Sequence, residues 1–195
     1  MNQTEQRDLC FIDIETTGPM IGFHEIIEIA VIRTDANANE KFTWQERIKP
    51  KHLDRLASEA LRLNGFSIKA WAKAAEASVP IWLEFVNVVQ GCMAVCQNPS
   101  YDRPFITLAA GEYGINSLGL DYHWIGTESL AWPLYVSKEI RDVKLKSLCQ
   151  YFGIPSEPLP HNALEGARIC LQVYRALMEY YAELEAHLKT EAIGR

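Results

Sequence analysis

The chain has 195 residues, of which 48% are hydrophobic and 23% charged, enough for one well-filled domain and too few for two comfortable ones. No apolar run reaches the ~20 residues needed to span a bilayer, and the polar start from Met1 to Asp8 lacks the apolar core of a signal peptide, so no membrane association and a cytoplasmic location are expected. A formal net charge of −6 argues against reliance on non-specific duplex binding, which needs a basic stripe, but leaves room for a grip on a few nucleotides at a strand end.

In chain order, Leu9 to Ile14 is a short apolar run that predicts a buried strand, ended by the turn Glu15-Thr16-Thr17-Gly18-Pro19. Ile26 to Ile32, rich in β-branched residues, predicts a second strand, and Phe42 to Ile48 alternates like a third. Ser58 to Leu63 reads as a helix stopped by Asn64-Gly65, a left-handed cap. Ser67 to Ala77 and Ile81 to Gln90 read as two more helices, and Cys92 to Cys96 as a short strand. Arg103 to Tyr113 is expected to be helical with Asp102 as its N-cap. Tyr122 to Ile125 follows as a strand, with helices near Glu128–Tyr135 and Lys144–Tyr151. A long amphipathic helix from about Asn162 to Leu188 closes the chain, with Ile169, Val173, Ala176, Leu177 and Tyr180 expected to pack on the sheet. Its continuation from Tyr181 is long enough to overhang the domain, which leaves a homodimer open. Strands first, then strands alternating with helices, predict an α/β fold with a mixed sheet flanked by helices in a single domain.

The five cysteines, Cys10, Cys92, Cys96, Cys149 and Cys170, are scattered through apolar contexts, where a free cysteine behaves as a small hydrophobe. No second cysteine/histidine pair completes a zinc tetrahedron with Cys92 and Cys96, so core thiols are expected.

Asp13 and Glu15 are the most informative residues. Side chains alternate along a strand, so both point to one face of an otherwise apolar run. Two readings are open for such a pair: a strand end that reaches solvent, with both acids hydrated, or a buried pair compensated by a cation. Thr16-Thr17-Gly18 tilts the balance toward the second, since hydroxyls, backbone N–H groups and a glycine let a polar ligand approach closely.

Phe11-Ile12-Asp13-Ile14-Glu15-Thr16-Thr17-Gly18 resembles the first motif of the DEDDh exonucleases, a family that includes polymerase proofreading subunits, RNase T and oligoribonuclease. Gln97-Asn98-Pro99-Ser100-Tyr101-Asp102 is similar to the family's second motif, His-Asn-x-x-Phe-Asp, and His161-Asn162-Ala163-Leu164-Glu165-Gly166-Ala167 to its third, His-x-Ala-x-x-Asp-Ala. The resemblance implies a ribonuclease-H-like fold and a 3′→5′ exonuclease acting on single-stranded DNA or RNA ends by a two-metal mechanism. It implies Asp13, Glu15 and Asp102 as ligands of Mg²⁺ or Mn²⁺, and His161 as general base. Thr16, Thr17 and Asn98 would touch the substrate. Aromatic residues near the motifs, Phe23, Phe66 and Tyr101, together with Trp124 and Trp132, are candidates for stacking on terminal bases or for core packing.

Two positions depart from the family pattern. Gln97 stands for the histidine of the second motif, and Gly166 stands where the fourth acid belongs. A divalent site without that carboxylate lacks a ligand and a charge. The neighbouring Glu165 points about 100° away on a helix and is expected to be a surface residue rather than a substitute. Gly166 therefore keeps a second reading open, a catalytically weakened or inactive exonuclease-like domain that binds nucleic acid or a protein partner.

Overall fold

The computed structural model describes residues 6–193; residues 1–5 of the polar start lie outside the described residues. The apolar run becomes β1 (Leu9–Thr16), pairing antiparallel with β2 (Ile26–Thr34), which pairs antiparallel with β3 (Glu40–Lys49). The short β4 (Ala75–Glu76) joins the outer edge of β3 in parallel. On the other side of β1, β5 (Met93–Cys96) pairs parallel with it, and β6 (Trp124–Gly126) pairs parallel with β5. The result is a mixed six-stranded sheet in the order β4-β3-β2-β1-β5-β6, the expected α/β, ribonuclease-H-like arrangement.

Alternation along β1 decides which helices cover which face. Cys10, Ile12 and Ile14 join Ile29, Val31 and Trp44 beneath α2 (Val79–Val89) and α3 (Pro99–Gly111), which contribute Trp82, Phe85, Val89, Phe105 and Ile106. Phe11, Ile32 and Val95 lie on the opposite face beneath α7 (Ala163–Ile193), packed on Ala167, Cys170 and Leu171. Fully burying each such large side chain stabilises the fold by about 1.5–3 kcal/mol relative to exposure. Between α3 and α7 the chain forms α4 (Thr127–Leu130), α5 (Trp132–Val136) and α6 (Leu145–Phe152), and α1 (Ser58–Asn64) lies between β3 and β4. All five cysteines are buried and unbridged, as core thiols.

Several sequence expectations are corrected. Residues 67–77 do not form a helix: Trp71 is buried and donates its Nε1–H to Ile27 O at 2.9 Å, and Ala75 and Glu76 pair with Ile48 and Lys49. Tertiary pairing there overrides the helix preference of an alanine-rich segment. α3 begins four residues before the expected start, with Pro99 in its first turn and Asn98, not Asp102, as its N-cap. The Asn98 side chain accepts the Ser100 amide at 3.0 Å. The stripe Ile169, Val173 and Leu177 packs on Leu134, Ile140 and Leu148 from α5 to α6, while the neighbouring stripe of α7 meets the sheet. From Ala182 to Thr190 every side chain of α7 is exposed.

Candidate active site

On the α7 face of β1 the sequence of inward positions runs Leu9, Phe11, Asp13, Glu15, so the apolar packing gives way to two carboxylates at the C-terminal end of the strand. That end lies where β1 has the antiparallel β2 on one side and the parallel β5 on the other. The strand order also reverses between β1 and β5, and in open α/β sheets such a switch leaves a crevice at the carboxyl ends of the strands. β5 delivers the chain directly into α3, whose first turn carries Asp102, 5% exposed and without a hydrogen bond to another side chain among the described residues. The loop after α6 carries Glu157 and His161 to the same place. The backbone N–H of His161 donates to Leu63 O at 2.8 Å, which pins this loop to the end of α1.

The structure thus brings Asp13, Glu15, Asp102 and His161 together and adds Glu157. Ligand-capable atoms of Glu15, Glu157 and His161 all lie within 4.8 Å of one another. Burial, followed by the charges of Asp102, Glu15 and Glu157, holds the Asp13 carboxyl well above the ordinary carboxylate range. Burial and the Glu157 charge push Glu15 up to about 8, partly countered by a hydrogen bond from Asn64. Burial raises Asp102 and Glu157 to about 7 each. The His161 imidazole, facing partial burial, is shifted down from its ordinary value. Among the described residues no lysine or arginine pairs with Asp13, Glu15, Asp102 or Glu157, whereas the neighbouring buried Glu28 is matched by Arg47 at 3.3 Å. A cluster of hard oxygen donors lacking a positive partner fits a divalent metal ion.

Beside the acids a cleft of about 470 Å³ is lined by Glu15, Thr16, Pro19, Ala60, Tyr101 and His161, among others. Its apolar wall comes from α1. The Thr16 hydroxyl lies 2.8 Å from the Tyr101 hydroxyl and donates to Gly18 O at 2.8 Å. Thr17 does not face this cleft as a substrate contact: it is fully buried, and its Oγ1 accepts the Glu25 amide at 2.9 Å. Asn98 is exposed, with its side-chain oxygen engaged in capping α3. Of the aromatic candidates Tyr101 lines the cleft. Phe66 packs on Trp71, Trp124 packs against the core from β6, Phe23 stands under the Arg55 guanidinium, and Trp132 is exposed on α5 against Tyr135.

Gly166 sits in the first turn of α7 directly against Asp13. A Cβ added there would lie 2.7 Å from Asp13 Cγ and nearer still to Oδ2. Gln97 has its own structural use: its Nε2 donates to Val143 O at 2.8 Å and its Oε1 accepts the Thr127 hydroxyl at 2.6 Å, tying β5 to α4 and to the approach of α6. Sequence reasoning missed Glu157 and Asn64. Asn64 is buried and donates to Thr16 O at 3.0 Å, and its place at the end of a helix before Gly65 was a local signal for a cap but not for this contact.

Fold and site together define an α/β nuclease architecture with an acidic centre at the carboxyl end of its middle strand. The family model of the RNase T exonucleases matches residues 10–174, and the chain belongs to that exonuclease family. Among solved structures the chain is similar to exonuclease I, with a TM-score of 0.78 at 16% identity over 95% of this chain and 44% of the other. Escherichia coli exonuclease I in complex with a dT13 oligonucleotide gives 0.77 at 16% identity, covering 95% of this chain and 44% of that one. Exonuclease I of Methylocaldum szegediense gives 0.73 at 18% identity, covering 89% and 40%. The chain therefore spans less than half the length of these structures, and at such identities the likeness is one of fold. No curated protein matches the sequence.

Proposed function

We propose that the chain is a metal-dependent 3′→5′ exonuclease acting on single-stranded DNA or RNA ends. The observation that carries this reading is the group of carboxylates, half-buried Asp13 and Glu15 and buried Asp102, gathered beside His161 at one end of an apolar cleft with no cationic side chain paired to them among the described residues. The complexes of E. coli exonuclease I with single-stranded DNA support the choice of a single strand.

Asp13, Glu15 and Asp102 would hold Mg²⁺ or Mn²⁺, which when bound supply activation of a water and neutralisation of charge on the phosphodiester and its leaving oxygen. His161 accepts the proton of the attacking water. Its lowered pKa keeps the ring neutral near pH 7. The α1 wall and Tyr101 offer an apolar surface to the terminal base without a base-reading pattern, so tolerance of sequence is expected.

Gly166 stands where the family carries its fourth acid, and this supports a second reading in which cleavage is weak and binding is the retained property. Cleavage of 3′- and 5′-labelled single-stranded DNA and RNA, in Mg²⁺, Mn²⁺ or EDTA, separates the two. A ladder shortening from the 3′ end and lost in EDTA is the expected result; retention of the oligonucleotide without cleavage in either metal favours the second reading.

A further inference from the structure

Glu157 belongs to none of the three sequence motifs, yet it lies against Glu15 and His161. We propose that Glu157 serves as the fourth metal-binding carboxylate of this site, supplied by the loop before α7 in place of a side chain at position 166. The inference deepens the exonuclease reading and rests on it.

Position 166 cannot supply that group without rearrangement, because the Asp13 carboxylate already fills the space a side chain would need. Glu157 reaches the cluster from the adjoining segment and is anchored there: its Oε1 accepts the Asn162 amide at 3.3 Å, at the entrance to α7. Its side chain is 15% exposed. With metal–oxygen bonds of about 2.0–2.2 Å, two ligands of one ion stand at most about 4.4 Å apart. The carboxylate oxygens of Glu15 and Glu157 come within 4.8 Å of each other, so closure of the two onto a common ion needs only sub-ångström movement.

Two alternatives for Glu157 fit less well. As an orienting partner of His161 it would hydrogen-bond Nδ1, but the Oε2–Nδ1 separation is 3.6 Å, beyond a hydrogen bond. As a surface acid it would not be drawn into a cluster of three other carboxylates. Asp102 gives independent support that the cluster is built for a cation: it is 5% exposed, makes no hydrogen bond to another side chain among the described residues, and stands close enough for its charge to act on Asp13.

Mn²⁺ binding to the full chain, followed by the electron-spin-resonance signal of free Mn²⁺, tests the assignment without recourse to activity. Glu157→Gln, nearly isosteric, is expected to weaken Mn²⁺ binding at least tenfold, with Glu157→Asp intermediate. Glu165→Gln is expected to stay within twofold of the parent. Melting in EDTA checks that each variant is folded. Glu157→Gln binding Mn²⁺ like the parent, while Asp13→Asn loses it, would overturn the role of Glu157 and leave the metal site standing. A parent chain that binds no Mn²⁺ would overturn both.

Discussion

Replacing Gly166 by alanine tests the packing of the acidic centre with a single methyl group. The glycine is helical, so alanine should favour the folded chain by roughly 1 kcal/mol through helix propensity alone. Against this, the new Cβ would lie 2.7 Å from Asp13 Cγ, where ordinary contact begins at 3.4 Å. The nearest atoms belong to the end of a flexible side chain, so Asp13 retreats by about 0.7 Å or more rather than the backbone. Moving a side chain off its preferred rotamer costs about 0.5–1.5 kcal/mol. The two effects nearly cancel, and the melting temperature in EDTA should stay within about 4 °C of the parent, the shift that ~1 kcal/mol produces in a domain of this size. Function is predicted to be far more sensitive, since a misplacement of about 1 Å at a reacting centre can cost ~100-fold. Mn²⁺ affinity and the rate of oligonucleotide shortening, measured on the same preparation, give the answer. An alanine variant that retains both would refute the placement of Asp13 as a metal ligand.

Asp13→Asn should abolish cleavage and, by relieving the crowding of the acids around it, raise the stability of the metal-free protein; urea unfolding in EDTA reads the second effect. His161→Ala should lower kcat by about 10²–10⁴-fold while leaving Mn²⁺ affinity within a few-fold, a split that a merely structural histidine would not produce. The carboxyl groups of Glu15, Asp102 and Glu157 titrate higher in the folded chain, at about 8, 7 and 7, than in the unfolded one. The folded state therefore holds more protons than the unfolded state between about pH 4.5 and 8, and metal-free stability falls as pH rises through that window. Melting curves in EDTA should show this decline and millimolar Mn²⁺ should flatten it; a melting temperature independent of pH in EDTA would contradict the crowding of these acids.

The first motif was legible because it combines strand alternation with charge: inward positions 9, 11, 13 and 15 change from apolar to acidic within one run. The left-handed end of α1 was equally plain, with Gly65 at φ 66° and its amide on Leu61 O at 2.9 Å. Segment 67–77 was not, because its alanines favour a helix locally while Trp71 and Ala75 answer to partners 44 and 27 residues away. The cap of α3 was misassigned although the signal was present, since Asn98-Pro99 is a good N-cap and first-turn pair. Glu157 lay in Ile154-Pro155-Ser156-Glu157-Pro158, a loop with no period to say which way a side chain points. Its partners come together only when α1, β1 and the start of α7 are assembled.

The starts of α3 and α7 meet at the acidic centre, with Asp102 in the first turn of one and Gly166 in the first turn of the other. Helix beginnings carry roughly half a positive charge each, from peptide dipoles aligned along the axis, worth about 0.3–2 kcal/mol to a nearby anion. Two such ends facing one group of carboxylates give it a permanent, ion-independent counterweight. Chelation should consequently loosen this corner of the molecule without dismantling the sheet, leaving a scaffold that is already shaped when the metal returns.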